Sequence, residues 1–316
     1  MGRIIYLLFS RGRGTGGQKM ILRHVETLRD LGFDALCWLP RDNTAPSWFS
    51  HHAPIEHEPN LRDEDVLVIP EDHPSVLERA ADLKCRVVVF SQGAYLVATR
   101  AAELISERPD RFSHIMAVGA RQADLLRRLY PRSRVDLVQC FADERLFRPA
   151  AEKAPRVLVV PRKRPAEAQI IVGLAKRLYA GRMNYKAAFA EDLPEATLAD
   201  AMGKSAAFLS LQKGESVGLM ALEAMASGCV CAGFTGTGGW AYATNENGFW
   251  APEDDCLAAA EAISEAVAVH REGGARLKLM LEAGFDTARR WGHAAFRQQL
   301  VAFWSELAPD ARKRAA

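Results

Sequence analysis

The sequence lacks most of what would tie it to a membrane, a metal ion or a nucleic acid. No stretch approaches the ~18 uninterrupted apolar residues of a bilayer span. The apolar opening, Arg3-Ile4-Ile5-Tyr6-Leu7-Leu8-Phe9, is short and has no small-residue cleavage site, so it reads as a buried first strand and not as a signal peptide. The six cysteines (Cys37, Cys85, Cys140, Cys229, Cys231, Cys256) include no Cys-x-x-Cys pair and no Cys/His spacing suited to zinc. Most fall in apolar runs, where a free thiol is a small core residue, and a reducing cytoplasm is the simplest compartment. Lysine and arginine total 41 against 39 acids, a formal charge of +2, so no nucleic-acid partner is expected. Basic residues do cluster at Arg11-Gly12-Arg13, Arg162-Lys163-Arg164 and Arg312-Lys313-Arg314. The last of these allows at most a weak peripheral contact with the anionic inner face of a membrane.

What the chain has is α/β alternation throughout its 316 residues, a length suited to two domains of ~150 residues. Strand-like runs fall at 4–9, 35–39, 66–69, 86–90, 114–118 and 135–139. Amphipathic stretches lie between them at 19–31, 74–83, 97–106 and 120–129. This pattern predicts a parallel sheet covered by helices. The pattern lapses in the polar, proline-flanked segment 147–155, the best linker candidate. A second alternation follows, with strands at 157–160, 186–189, 206–211 and 229–234. Its helices are expected at 166–179, 194–202, 217–227, 256–271 and 274–283, with a final helical stripe from Trp291 to Leu307. The expected domains are therefore 1–150 and 151–316. In such sheets ligands bind outside the carboxyl ends of the strands, which directs attention to the loops.

The first strand leads into Ser10-Arg11-Gly12-Arg13-Gly14-Thr15-Gly16-Gly17-Gln18 and then a helix. Glycines let a backbone approach an anion, and free amides at a helix start favour phosphate there. No Gly-Lys-Ser/Thr follows, so this is not a P-loop, and a tight turn without a ligand is an equal reading. The more informative segment is Gly214-Glu215-Ser216-Val217-Gly218-Leu219-Met220-Ala221-Leu222-Glu223-Ala224-Met225-Ala226-Ser227-Gly228. It predicts a helix entered near Glu215, with Glu223 two turns in and ~12 Å away along the axis. That separation is too long for two carboxylates flanking one glycosidic bond, which takes ~5–10 Å. It suits the two ends of an extended ligand with a diphosphate between them. Glu223 lies among apolar residues, so it should be buried and needs polar partners to offset desolvation.

Read as Glu-x-x-Gly-x-x-x-x-Glu-Ala-Met-Ala-x-Gly, Glu215 to Gly228 resembles the signature of the retaining glycosyltransferases of GT-B fold, the group 1 or type 4 family. The resemblance covers most of the C-terminal half and, more loosely, Gly16 and Gly17, which it places among the donor-binding residues. It implies two Rossmann-like domains facing across a cleft, the first on the acceptor side and the second holding a nucleoside-diphosphate sugar. The C-terminal helix is then expected to pack back toward the first domain. By that resemblance Glu215 positions the donor sugar, the amides of Ser216, Val217 and Gly218 meet its hydroxyls or phosphate, and Glu223 binds the ribose. Two of Arg162, Lys163 and Arg164, after the first strand of the second half, neutralise the diphosphate as the glycosidic bond breaks. A glycine-rich loop, Thr235-Gly236-Thr237-Gly238-Gly239, is a further candidate beside base or sugar. Where relatives present a His, this chain reads Phe90-Ser91-Gln92-Gly93, so Gln92 takes its place and cannot exchange a proton near neutral pH. His73, in Pro70-Glu71-Asp72-His73-Pro74, is the alternative residue on the acceptor side.

The expected reaction is metal-independent transfer of a sugar to an acceptor hydroxyl, with retention of configuration and no cofactor beyond the donor itself. The expected acceptor is a glycan or glycolipid of the bacterial surface. The alternative is a non-catalytic subunit that binds a nucleotide sugar within a glycan-building complex.

Overall fold

Buried runs of Ile, Val, Leu and Phe become the strands of two parallel sheets in the computed structural model, which describes residues 2–10, 14–93 and 95–312. Arg11-Gly12-Arg13 and Lys313-Arg314 of the basic clusters lie outside the described residues. The chain divides into two compact units, one running to Cys140 and resuming at Phe296, the other spanning Phe141–Ala295. The first unit closes earlier than the expected boundary at 150, for a visible reason. Ala142 donates its amide to Trp291 O (2.9 Å), Glu144 accepts the His293 amide (2.9 Å), and Ala150 donates to Gly203 O (3.0 Å). Residues 141–150 are thereby tied into the second unit.

The first unit contains β1 (Ile4–Leu7), α1 (Gly16–Asp30), β2 (Ala35–Trp38), β3 (Ile55–Glu56), β4 (Val66–Pro70), α2 (Pro74–Ala80), β5 (Arg86–Ser91), α3 (Val97–Arg100), α4 (Ala102–Glu107), β6 (His114–Ala117), α5 (Ala120–Leu129) and β7 (Arg134–Leu137). The helix expected over 97–106 is two short ones, broken at Ala101. All strands are parallel, in the order β3-β2-β1-β4-β5-β6-β7. The chain moves from β1 toward one edge and then returns to β4 on its other side, so the topology switches between β1 and β4. Ile4, Ile5, Tyr6, Val87, Val88 and Val89 are fully buried, as strands covered on both faces require. Helix α1 starts at a capping box: Thr15 Oγ1 accepts the Gln18 amide (3.3 Å) and Gln18 Oε1 accepts the Thr15 amide (3.0 Å).

The second unit contains β8 (Ala154–Val159), α6 (Pro165–Leu178), β9 (Lys186–Phe189), α7 (Glu195–Gly203), β10 (Ser205–Leu211), α8 (Leu219–Ala226), β11 (Val230–Phe234), α9 (Gly236–Gly239), β12 (Gly248–Ala251), α10 (Cys256–Glu272) and α11 (Gly274–Arg290). Its sheet runs β12-β11-β10-β8-β9, again all parallel, with the switch between β8 and β10.

Helix α12 (His293–Leu307) brings the chain into the first unit. Its Phe296, Leu300 and Trp304 are fully buried, and Trp304 Nε1 donates to Tyr6 Oη (3.3 Å). Tyr6 Oη also pairs with His24 Nδ1 (3.0 Å), and burial pushes His24 down to about 3, which keeps the ring neutral. The chain then adds an antiparallel bridge between Phe33 and Arg312. Among the described residues no helix is long and apolar enough to cross a membrane.

Candidate active site

Parallel sheets present ligand-binding loops at the carboxyl ends of their strands, above all at the switch point. In the second unit that point lies between the loops after β8 and β10. The first carries Arg162, Lys163 and Arg164, the second Glu215 to Gly218. Lys163 Nζ stands 2.6 Å from Glu215 Oε1 and donates to Lys213 O (3.3 Å), so the structure brings two of the expected site residues into contact. Arg162 is exposed on the same loop.

Arg164 is corrected as a diphosphate ligand. Its side chain is 1% exposed, ion-paired with Glu253 (2.6 Å), with Glu167 (3.5 Å) and with Asp254, and packed over the Phe234 ring at 4.6 Å. Its Nε donates to Gln212 O (3.2 Å). The guanidinium therefore braces the loops after β8, β10 and β12 against one another.

The helix carrying the second carboxylate begins later than its pattern suggests. Gly218 sits at φ +78°, a left-handed conformation, and α8 starts only at Leu219. Glu215, Ser216 and Val217 thus belong to the loop, and Glu223 is just over one turn into the helix. The ~12 Å spacing drawn from a continuous helix does not apply to them. Glu223 is 3% exposed, as its apolar neighbours predict. Gly218 has a second reason to be glycine: a Cβ there would overlap Gln212 Oε1. Gln212 is held in turn, its Nε2 donating to Tyr242 Oη (2.9 Å), whose hydroxyl donates to Gly218 O (2.7 Å).

The glycine-rich segment after β11 is the short helix α9, and it fixes the Glu215 loop from the other side. Thr237 Oγ1 donates to Glu215 O (2.8 Å), and Gly236 donates its amide to Glu253 Oε1 (2.7 Å). A Cβ on Gly238 would come within 2.5 Å of the Val217 backbone. Glycine here lets two backbones touch.

The first unit has a cavity of its own at its switch point. A cavity of about 460 Å³ opens outside the ends of β1, β4 and β5, walled in part by Phe9, Gly17, Glu71, His73, Arg79 and Gln92. Gly17, His73 and Gln92, separate in the sequence, are thereby brought together, and a Cβ on Gly17 would approach Gln92 Oε1 to 3.2 Å. Gly16 opens α1 with open space around it and is not part of this wall. Glu71 is the residue that sequence reasoning passed over. It is 1% exposed, and its Oε1 accepts the amides of Gln92 (2.8 Å) and Gly93 (2.5 Å). Desolvation outweighs those bonds and pushes its carboxyl up to about 7. The available signal was an acid placed directly after the buried strand Val66–Pro70.

No family model matches the chain. The Alpha-1,6-glucosyltransferase of Actinobacillus pleuropneumoniae serotype 7 (strain AP76) is 28% identical over 243 residues, 73% of this chain and 72% of the relative. Sucrose-phosphate synthase from Thermosynechococcus elongatus matches with a TM-score of 0.75 at 13% identity, covering 98% of this chain and 100% of that one. HepE from Anabaena, solved in complex with UDP, matches with a TM-score of 0.70 at 15% identity, covering 96% and 100%. The fold is that of the GT-B glycosyltransferases.

Two further sequence features take their meaning within the GT-B frame. Gly12-Arg13-Gly14-Thr15-Gly16-Gly17 has the Gly-x-Gly-x-x-Gly spacing of dinucleotide-binding proteins, with Gly12 and Arg13 outside the described residues. However, β2 ends at Trp38 without an acid, and the first carboxylate after it, Asp42, lies beyond Leu39-Pro40-Arg41 and accepts the Asn43 side-chain amide (2.8 Å). Asp63-Glu64-Asp65 has the Asp-x-Asp spacing of a metal motif. Asp65 precedes β4, at the opposite end of the strand from Glu71, and is engaged by Arg3 (2.7 Å) and Arg62 (3.2 Å). Those partners hold its carboxyl down at about 2 in spite of burial. Among the described residues no group of three or more His, Cys, Asp or Glu side chains is arranged to hold a metal ion.

Proposed function

We propose that this chain transfers a hexose from a nucleoside diphosphate to a hydroxyl of a glycan or glycolipid, retaining the anomeric configuration and using no metal ion. The observation that carries the reading is the Lys163–Glu215 contact of 2.6 Å at the switch point of the second sheet. A cation and a carboxylate in contact suit a ligand whose diphosphate and hexose adjoin. Lys163 and Arg162 take the phosphate oxygens, and Glu215 accepts hydrogen bonds from sugar hydroxyls. Glu223, buried in α8, holds the ribose diol.

In the reaction the bond from the anomeric carbon to the β-phosphate oxygen breaks, and its electron pair leaves with the diphosphate. The acceptor oxygen forms the new bond on the same face and its proton passes to the departing phosphate. The charge that develops on the diphosphate is what Lys163 and Arg162 stabilise, in place of a divalent ion. Support comes from the likeness to a protein named as a glucosyltransferase and from HepE, whose solved complexes include one with UDP-glucose.

Release of UDP from UDP-glucose in the presence of glycan acceptors, measured with and without EDTA, tests this. The expected outcome is turnover that EDTA leaves unchanged, with an α-linked product by NMR. Turnover abolished by EDTA and restored by a divalent ion would contradict the metal-free part. A panel of nucleotide sugars that yields no turnover would contradict the whole.

A further inference from the structure

The loop that carries Glu215 is held along its length by its backbone oxygens. Arg164 Nε donates to Gln212 O (3.2 Å) and Lys163 Nζ to Lys213 O (3.3 Å). Thr237 Oγ1 donates to Glu215 O (2.8 Å) and Tyr242 Oη to Gly218 O (2.7 Å). The last two hydroxyls come from one segment, α9 and the residues after it, and they grip residues 215–218 at both ends. That segment is itself anchored. The Gly236 amide donates to Glu253 Oε1 (2.7 Å), and Glu253 Oε2 pairs with Arg164 Nη2 (2.6 Å). Arg164 therefore closes a ring: it holds Gln212 at the entrance of the loop and, through Glu253 and Gly236, the turn that bears Thr237. Backbone packing tightens the ring, since a Cβ on Gly236 would come within 2.9 Å of Gln212 Cβ and one on Gly238 within 2.5 Å of the Val217 backbone.

No peptide bond among the described residues is cis, and in a planar trans peptide the N–H points opposite to the C=O. Fixing Glu215 O on Thr237 therefore turns the Ser216 amide away from α9. We propose that Thr237 is a positioning residue for the donor: its hydroxyl, through Glu215 O, sets the direction of the Glu215 side chain and the Ser216 amide toward the transferred hexose. This rests on the glycosyltransferase reading above. In it the diphosphate is met by Arg162 and Lys163 on the loop after β8, and the ribose by Glu223 within α8. Neither of those elements hangs on the Thr237 bond, so loss of the hydroxyl is felt at the sugar and not at the diphosphate. Thr237 is only half-buried, which lets its hydroxyl be removed with little disturbance of the core.

Calorimetric titration of the full chain separates the two halves of the ligand. The probes are UDP-glucose, UDP-galactose, UDP-N-acetylglucosamine and GDP-mannose, beside the free diphosphates UDP and GDP. Thr237→Val is expected to bind the wild-type donor about tenfold more weakly, yet the matching free diphosphate within about twofold of wild type. Transfer kcat should fall about 10–10²-fold, because the hexose is no longer held in line. Thr237→Ser keeps the hydroxyl and should restore both donor affinity and kcat. Wild-type donor affinity in Thr237→Val overturns the proposal. So does a parallel loss of donor and diphosphate, which a general disordering of the loop would give, and so does a failure of Thr237→Ser to rescue. Should Thr237→Val fail to fold, Thr237→Ala takes its place with the same expected and contrary results. If wild type binds a nucleotide sugar and the hydroxyl makes no difference, the positioning role alone falls. If wild type binds no nucleotide sugar, the transferase reading falls and takes the positioning role with it.

Discussion

Glu215 and Glu223 are close in sequence and unlike in environment. Glu215 is partly exposed and in contact with Lys163, while Glu223 is buried in an almost wholly apolar helix. Lys163→Ala should therefore act on the reaction, removing charge stabilisation of the leaving group. We expect kcat to fall about 10²–10³-fold with little change in Tm, measured by UDP release. Burial of Glu223 was legible because apolar residues flank it on every side of its helix. The choice among Arg162, Lys163 and Arg164 was not, since three adjacent basic residues look alike until the chain's turn decides which points inward. Glu71 was overlooked for the converse reason: although it directly follows a buried strand, it lies in a polar run, Glu71-Asp72-His73, that reads as a solvated loop.

At the scale of elements, the strands were readable where they are continuous buried runs, as in Val66–Pro70 and Ser205–Leu211. Strand β3 is too short to leave a pattern. Strand β12, Gly-Phe-Trp-Ala, looks like any aromatic loop, and α9 is made of residues with no helical preference. The start of α8 was placed too early because hydrophobic periodicity does not register a left-handed glycine. Gly218→Ala tests how much depends on that residue. It incurs about 1–2 kcal/mol for the left-handed backbone and about 1–3 kcal/mol for displacing Gln212. A fall in Tm together with weaker donor binding is expected, because the displaced side chain also anchors Tyr242. Arg164→Lys should not rescue Arg164→Met, since one ammonium cannot meet Glu253, Asp254 and Gln212 O together while lying flat on Phe234. Comparing the Tm of the two variants checks this.

For the whole molecule, two buried groups of the first unit couple folding to pH with opposite signs. His24 is held neutral, with its value lowered from 6.5 to about 3 by burial. Below about pH 6.5 the unfolded chain takes up a proton that the folded chain refuses, so stability falls on acidification, by at most ~1.4 kcal/mol per pH unit. Glu71 is raised from 4.5 to about 7, so its contribution is full below 4.5 and is lost as pH rises through 7. Between about pH 4.5 and 6.5 the two oppose each other. Glu71→Gln should expose the His24 slope, giving a Tm that drops more steeply than wild type from pH 6.5 to 4.5. Parallel thermal melts would show it.

The central claim is that the second unit grips a nucleoside-diphosphate sugar through Lys163, Glu215 and Glu223. Calorimetric titration of UDP-glucose and other nucleotide sugars into wild type and Glu223→Ala tests it most directly. The account predicts that one donor binds wild type and that Glu223→Ala, still folded, binds it at least about tenfold more weakly. Equal affinity for the two proteins would contradict it.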